Sequence, residues 1–434
     1  MDLRKKETKL LHKMNTSWIA LEMDKSGKTL FLLNGGRMQK MDLPSGGLTG
    51  ITYRAEFDLD LAAERACMFE HVYKQIQKRF YVKSLHGVDW GGLKTAYQKF
   101  LPHINNNYDF AELLSEWLGE LNVSHTGGRY RPSGSGGDAT AQLGVLFDLN
   151  YNGKGLRITE ILQKGPFDKA SSAVKAGMII EKIDGTVIEP DMDYLPLLNH
   201  KAGKKMLVSV YDPETKKRWD EIVVPAGGVS LYDRWVKKRA ADVAKWSNGR
   251  LGYVHIPSMG DESFRSVYSD VLGKYNDCEG IVIDIRFNGG GRLHEDVEVL
   301  FSGKKYFQQV IRGRRACDMP SRRWNKPSIM VTCEADYSNA HGTPWVYQHQ
   351  GIGRVVGMPV AGTMTSVSWE TLQDPSLVFG IPIIGYELPD GSYLENTQLE
   401  PDVKVTNDPA DIVKGEDAQL KRAVDELLKE IDKK

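Results

Sequence analysis

The chain has 434 residues, of which 41% are hydrophobic and 26% are charged, a balance typical of a soluble globular protein. Its 57 Lys and Arg residues match its 57 Asp and Glu residues, so we expect neither nucleic acid nor an acidic membrane as a partner. No run approaches 18 consecutive apolar residues and the first residues are charged, so we expect no transmembrane helix and no secretion. The length predicts roughly three domains.

No pattern in the sequence indicates a metal or nucleotide cofactor. The four cysteines are scattered, with no C-x-x-C pair and no histidine at zinc-ligand spacing, and we expect buried free thiols at Cys67, Cys278, Cys317 and Cys333. Neither glycine-rich phosphate-binding fingerprint occurs between a strand and a helix. We therefore expect no cofactor.

Residues 1–50 are predicted to form a β-meander. Short alternating segments separated by turn residues predict three strands, at 17–22, 29–33 and 37–43. Three such strands are marginally stable alone in water. We therefore expect them to end a larger sheet, such as the last blade of a propeller.

Residues 51–137 are predicted to be helical. Apolar residues recur at helical spacing between 61 and 120, on one face at 69, 72, 73, 76 and 80 and on a second at 113, 114, 117, 118 and 121. The segment 131–137 is rich in Gly and Ser, which predicts a domain boundary at 137.

Residues 138–226 are predicted to form a β-rich unit. The pattern gives strands and short helices in the order 142–147, 156–162, helix 167–174, 176–185, helix 194–199, 205–211 and 218–224. This order resembles a PDZ domain. The resemblance implies that backbone N–H groups of Leu143, Gly144 and Val145 capture a peptide C-terminus, with the peptide added as a strand. The alternative is a β-rich spacer that binds nothing.

Residues 227–434 alternate between helical and strand patterns. Helices are predicted at 234–246 and 262–275, and strands at 252–256 and 280–285, followed at the end of the chain by a packing helix at 417–431. Such alternation predicts an α/β layer with a partly parallel sheet.

Two features of this last segment indicate chemistry. Three glycines at 289–291 follow the buried strand, where they allow either an oxyanion hole built from bare N–H groups or an ordinary turn. Ser338 lies between a strand pattern at 327–333 and a helical pattern at 340–350. A serine at such a junction suits a nucleophile, although serine is also a favoured helix N-cap.

A serine nucleophile needs a base, and the chain has ten histidines. His125 ranks first because it follows a helix end and precedes two glycines in a constrained loop. His341 shares a helix with Ser338, where neighbouring side chains rarely converge. An ordinary loop histidine remains the alternative for His125.

Several motifs together carry a family resemblance. They are NVSH at 122–125, the PDZ-like unit, DIRFNGGG at 284–291, YSN at 337–339, LEN at 394–396 and EPD at 400–402. In this order they resemble the C-terminal half of tricorn-type serine proteases, within the C-terminal processing peptidase superfamily. The resemblance covers roughly residues 45–434. It implies an α/β and α+β multidomain chain with a crotonase-like α/β core at 227–434, beside the helical, PDZ-like and propeller-remnant segments.

The resemblance also implies a catalytic tetrad. Ser338 would be the nucleophile and His125 the general base, with Ser124 and Glu395 orienting the imidazole. The N–H of Asn339 and that of Gly290 or Gly291 would form the oxyanion hole.

One observation distinguishes this chain from the wider superfamily, and two distinguish it from the closer tricorn-type family. Residues 357–370 contain no lysine, which excludes a serine–lysine dyad there. Asn339 stands where the closer family has an acidic residue. At 308–315, where the family has an acid that selects basic side chains, the sequence has arginines at 312, 314 and 315. These arginines indicate either a preference for acidic side chains or C-terminal carboxylates in the substrate, or a run of solvated surface residues without a role in binding.

The sequence thus predicts a serine endopeptidase or oligopeptidase that acts on unfolded peptides, without metal or organic cofactor. The resemblance implies a homo-oligomer, a hexamer if the family pattern holds. We expect a cytoplasmic protein, or a periplasmic one if a signal peptide precedes a longer natural chain. The alternatives are a catalytically inactive peptide-binding module and an esterase or amidase that uses the same tetrad.

Overall fold

The structure is a computed structural model that describes residue 6 and residues 8–13, 20–34, 36–132, 134 and 137–433. The chain forms two compact units, Met1–Glu64 and Arg65–Lys434. The fold is of the mixed α/β class, with helices and several separate sheets.

The first unit contains an antiparallel sheet whose four strands pair in chain order: β1 Ala20–Met23, β2 Thr29–Asn34, β3 Arg37–Asp42 and β4 Gly47–Ile51. The turn between β1 and β2 is fixed by Asp24, whose carboxylate accepts the N–H groups of Lys28 and Thr29 at 3.0 Å each. The predicted meander therefore has a fourth strand. Its predicted residues 17–19 and Gly35 lie outside the described part of the chain.

The helical pattern predicted between 61 and 120 is confirmed, with one helix more than its two apolar faces indicated: α1 Leu61–Arg79, α2 Trp90–Gln98 and α3 Asn107–Gly119. The helices meet around Trp117, whose ring stacks on Phe69 at 4.2 Å and on Trp90 at 4.5 Å between centroids. After α3 a loop leads into strand β5, Gly127–Tyr130.

Residues 138–226 form an antiparallel sheet in the order β11-β10-β8-β7-β6, with β9 paired to β8. Its strands are β6 Val145–Phe147, β7 Leu156–Ile161, β8 Ile179–Ile183, β9 Thr186–Val187, β10 Met206–Tyr211 and β11 Arg218–Val223. The helix predicted at 167–174 is wrong. Turns replace it because Gly165 and Pro166 interrupt the chain and Asp168 accepts the Lys164 N–H at 2.7 Å. The second predicted helix is a short 3₁₀ turn, Leu195–Leu198.

The remainder of the chain is built on a sheet whose strand pairs are all parallel, in the order β12-β13-β16-β17-β20. Its strands are β12 Leu251–His255, β13 Gly280–Asp284, β16 Ser328–Thr332, β17 Arg354–Gly357 and β20 Val403–Lys404. A separate hairpin joins β14 Phe307–Ile311 to β15 Arg314–Met319. The sequence predicted an only partly parallel sheet and gave no sign of the hairpin.

Helices cover both faces of the parallel sheet: α4 Leu231–Trp246, α5 Asp261–Ser269, α6 His294–Phe301, α7 Asn339–His349 and α9 Ala418–Asp432. The short helix α8 Pro409–Val413 precedes α9. Alternate residues of β13 point to opposite layers. Ile281 and Ile283 pack in the core that includes α5, α6 and α7, whereas Val282 packs in the core that includes α4 and α9. A strand buried on both faces reads as a continuous apolar run, as β13 does.

A three-stranded sheet connects the helical part to the α/β part. It contains β18 Thr365–Thr371, β19 Leu377–Gly385 and β5, in that order. Since β5 follows the loop that carries His125, this pairing brings that loop from the helical part to the strand ends of the α/β part.

Charged side chains form a buried network below the strand ends. The Arg286 guanidinium donates to Asp284 at 2.7 Å and to Asp417 at 2.9 Å, and Arg239 donates to Asp417 at 2.8 Å. Burial alone disfavours ionisation of Asp417, but the charge of Arg286 lowers the pKa of this carboxyl to about 2. The network therefore stays charged around neutral pH.

Two expectations from composition can be compared with the described residues. All four cysteines are free, but only Cys333 is buried; Cys67 is exposed, and Cys278 and Cys317 are partly exposed, so the expectation of buried thiols is wrong for three of them. None of the described helices combines the length and apolar character that a membrane span requires.

Candidate active site

The parallel sheet brings two loops to the same edge. Strands β13 and β16 are neighbours, so the glycine-rich loop after β13 meets the loop that leads to Ser338. The Tyr337 N–H donates to the Asn288 carbonyl at 2.9 Å, and the buried Asp336 carboxylate accepts the N–H groups of Asn288 at 3.3 Å and Cys333 at 3.0 Å. These bonds fix the two loops against each other.

Ser338 occupies the N-cap position of α7 but makes no capping hydrogen bond with its side chain. Its φ of 60° and ψ of −124° are rarely adopted by residues other than glycine. The strained turn is held by the Ser338 N–H, which donates to the Thr363 hydroxyl at 2.8 Å. The hydroxyl of Ser338 is thus not used for helix capping, the structural role considered for it.

Gly290 lies directly against Ser338. A Cβ atom on Gly290 would stand 2.5 Å from Ser338 Cβ and 3.0 Å from its Oγ, and the φ of Gly290 is 97°. The Gly290 N–H donates to the Asn288 side chain at 2.8 Å. By contrast, the N–H groups of Gly291 and Asn339 have no hydrogen-bond partner within the part of the chain that the structure describes.

His125 lies in a hydrogen-bonded set with Ser124 and Glu395. The Ser124 hydroxyl lies 2.7 Å from His125 Nδ1 and donates to Glu395 Oε2 at 3.0 Å, and the Ser124 N–H donates to Glu395 Oε1 at 2.5 Å. Because the Ser124 hydroxyl donates its hydrogen bond to Glu395, Ser124 Oγ can accept a hydrogen bond from the Nδ1–H of His125. This arrangement leaves Nε2 unprotonated, as a general base requires.

This set contacts the segment of Ser338 through Tyr337. The His125 N–H donates to the Tyr337 hydroxyl at 2.8 Å, and the two rings lie 4.7 Å apart between centroids. Among the residues that the structure describes, no hydrogen bond joins Ser338 Oγ to the His125 ring. The structure thus brings Ser124, His125 and Glu395 together. His125 contacts Tyr337, the residue that precedes Ser338, and not Ser338 itself.

Burial sets the charges of the site. Burial of the imidazole lowers the pKa of His125 to about 4, so the ring is neutral at pH 7. Burial also raises the pKa of the Glu395 carboxyl, and the hydrogen bonds from Ser124 work against that shift. His341, the other histidine near Ser338 in sequence, is fully buried in α7, where burial lowers its pKa to about 4.

Comparisons with known proteins find similar sequences over most of the chain. The model of peptidase family S41 matches residues 250–405, and that of the tricorn protease C1 domain matches residues 61–119. Tricorn protease homolog 1 of Streptomyces coelicolor is 28% identical over 93% of this chain and 40% of its own length. The chain resembles the tricorn-type proteases of peptidase family S41. The tricorn protease of Thermoplasma acidophilum is 25% identical over 83% of this chain and 33% of its own.

The fold is similar to that of a solved tricorn protease. A crystal structure of the tricorn protease superposes with a TM-score of 0.84 at 20% sequence identity, over 95% of this chain and 41% of that one. The chain therefore spans less than half the length of each of these relatives. The S41 match includes Ser338 and Glu395, whereas Ser124 and His125 follow the C1 match by a few residues.

Sequence reasoning missed two residues of the site. Thr365 is buried and lies 3.1 Å from His125 Nδ1 and 3.2 Å from Ser124 Oγ through its hydroxyl. Thr363 holds the N–H of Ser338. Nothing local in the sequence distinguishes these threonines, because they reach the site only through the pairing of β18, β19 and β5.

The structure gives a physical role for Asn339, which departs from the acidic residue expected there. Its side-chain oxygen accepts the N–H groups of Leu293 at 2.7 Å and His294 at 3.1 Å, at the start of α6, and its Nδ2 lies 2.8 Å from His294 Nδ1. A carboxylate could accept the two N–H groups but could not donate to an unprotonated imidazole nitrogen. Asparagine can therefore pair with His294 when Nδ1 is unprotonated, whereas aspartate would need Nδ1 to carry the proton.

Two predicted binding segments make no described contact with these residues. Leu143, Gly144 and Val145 lead into β6, the edge strand of their sheet, and Gly144 has a φ of 66° and packs against Pro166. The arginines of 308–315 lie on the β14–β15 hairpin, where Arg312 and Arg314 are exposed; the side chain of Arg315 lies outside the description. The described His, Cys, Asp and Glu residues form no group of three or more arranged to hold a metal ion.

Proposed function

We propose that this chain is a serine peptidase that cleaves unfolded peptides through an acyl-enzyme on Ser338. The observation that carries the proposal is the hydrogen-bonded set of Ser124, His125 and Glu395, next to a serine whose hydroxyl caps no helix. The peptidase relatives support it, and their greater length leaves room for other determinants of substrate choice.

In the acylation step, Ser338 Oγ attacks the carbonyl carbon of the scissile peptide bond while its proton passes to His125 Nε2. The C–N bond then breaks as the same proton moves from Nε2 to the departing amine. Ser124 and Glu395 keep the other imidazole proton on Nδ1 and stabilise the imidazolium ion in between. A direct hydrogen bond between Ser338 and His125 would form as substrate binds, since catalytic hydrogen bonds are often loose before then.

The carbonyl oxygen becomes an oxyanion during the attack and needs donors. The free N–H groups of Gly291 and Asn339 are the candidates, and each well-placed donor is worth about 3 kcal/mol of barrier. Gly290 would act through its lack of a side chain, because its N–H is engaged by Asn288. In deacylation His125 would activate water, and the C–O bond to Ser338 would break.

We also infer the substrates, the assembly and the location of the protein. We infer unfolded peptides as substrates, delivered in part by capture at Leu143, Gly144 and Val145. A homo-oligomer, hexameric if the family pattern holds, and a cytoplasmic location complete the proposal.

Hydrolysis of fluorescein-labelled casein by matched variants tests the proposed function. We expect Ser338→Ala and His125→Ala each to lower the rate at least a thousandfold while keeping the melting temperature. Ser302→Ala is the control, because Ser302 is a similarly half-buried serine at the end of α6. A Ser338→Ala variant that retains the wild-type rate would refute the assignment of the nucleophile.

A further inference from the structure

Residues 362–365 are hydrogen-bonded to the segments that carry Ser338, His125 and Glu395. The Thr363 hydroxyl accepts the N–H of Ser338, and the Thr365 hydroxyl contacts His125 Nδ1 and Ser124 Oγ. At the start of the segment, the Gly362 carbonyl accepts the N–H of Asn396, the neighbour of Glu395, at 2.9 Å. One short piece of chain is therefore hydrogen-bonded to Ser338, to His125 and Ser124, and to the neighbour of Glu395.

The segment is itself firmly seated. Met364, between the two threonines, is buried and packs on α7, where a Cβ on Gly342 would stand 2.5 Å from Met364 Cε. Thr365 then begins β18, which pairs with β19. Because Met364 packs on the helix of Ser338 and β18 belongs to the sheet of β5, the segment joins the two structures that supply nucleophile and base.

We propose that Thr365 is a positioning residue for His125 and that Thr363 and Thr365 together set the spacing between base and nucleophile. The proposal rests on the proposed function. Residues two apart on an extended chain share a face and lie about 6.6 Å apart, so one threonine can hold Ser338 while the other holds His125.

The available protons fix the role of Thr365. Glu395 takes the hydroxyl proton of Ser124, so Ser124 Oγ accepts from His125 Nδ1–H. The Thr365 hydroxyl donates its proton to the remaining lone pair of Ser124 Oγ, at 3.2 Å, and its oxygen faces Nδ1–H at 3.1 Å as a second acceptor. When His125 gains a second proton, this acceptor stabilises the imidazolium ion.

The variant Thr365→Val removes the hydroxyl and keeps the shape, and Thr365→Ser keeps the hydroxyl. We expect Thr365→Val to lower kcat for peptide hydrolysis roughly tenfold with little change in KM, since it loses a hydrogen bond to a transient charge. Thr365→Ser should recover most of that loss. A purely structural role would be shared by both variants or would appear as a lower melting temperature.

The pH dependence of Ser338 labelling by a fluorophosphonate gives a second readout that does not depend on the choice of peptide. The wild-type rate should fall as the pH drops through about 4, and in Thr365→Val, relative to its own plateau, the midpoint of that fall should move to lower pH. The titratable groups that face His125 are Tyr337, against its ring, and Glu395, through Ser124. Both groups are present in the wild type and in Thr365→Val. Circular dichroism at pH 4 verifies the fold.

Thr363→Val is the companion variant, because Thr363 touches the backbone of Ser338 and not the base. We expect it to slow labelling without moving the pH profile. Identical profiles and rates for wild type and Thr365→Val, with Ser338 labelled in both, would overturn this inference alone. Absence of any label on Ser338 in folded wild-type protein would overturn the proposed function and the inference with it.

Discussion

Gly290→Ala should nearly abolish peptidase activity through a collision that the structure locates. The new Cβ would stand 2.5 Å from Ser338 Cβ and 2.8 Å from the Tyr337 carbonyl oxygen. Restoring ordinary contact distances moves the segment of Ser338 by roughly 1 Å, and a misplacement of about that size can lower a rate by about a hundredfold. The φ of 97° adds backbone strain of about 1 to 3 kcal/mol for a non-glycine residue.

Gly289→Ala is the matched control, because Gly289 is exposed and a Cβ there would meet no atom within 4 Å. The rates of casein hydrolysis and of fluorophosphonate labelling should fall at least a hundredfold in Gly290→Ala and less than threefold in Gly289→Ala. Thermal melting separates a displaced nucleophile from a protein that fails to fold. Labelling of folded Gly290→Ala at the wild-type rate would refute the packing argument.

Three further outcomes follow from charges and burial. Activity, measured as kcat/KM against pH, should fall on the acid side as the pH drops through about 4, where His125 gains a proton. Burial lowers the pKa of His341 to about 4, below its ordinary value of 6.5, so the unfolded chain binds the proton first as the pH falls. The contribution of His341 to the free energy of unfolding is therefore highest above pH 6.5 and decreases by about 3 kcal/mol towards pH 4. His341→Met should make the melting temperature depend less on pH over this range. Asp417→Asn should destabilise the chain by about 3 kcal/mol in urea unfolding, because Arg286 and Arg239 keep buried charge, whereas Asp411→Asn on the surface should not.

The parts of the fold that could be predicted from sequence are those written in local pattern. The continuous apolar run of β13 and the helical spacing around Trp117 each arise from residues adjacent on one element. The helix predicted at 167–174 failed because its apolar spacing competes with the turn chemistry of Pro166 and Asp168. The β14–β15 hairpin has no regular alternation, and its exposed Phe307 and Ile311 gave no signal of a half-buried strand.

The site divides in the same way. Ser338 and the glycine run are marked by their position at strand ends, and the relay around His125 could be named only through a family resemblance. Thr365 was beyond reach, since its contact with His125 joins residues 240 positions apart through the pairing of β18, β19 and β5. A hydroxyl that matters only through tertiary pairing has no local pattern.

The most direct test of the account is the site of covalent modification by a fluorophosphonate, read by intact mass and peptide mapping. The account predicts one adduct per chain, on Ser338, with loss of fluoride, and a large decrease in its rate in His125→Ala. Labelling of folded protein at a different residue, or labelling of Ser338 at an unchanged rate without His125, would contradict it.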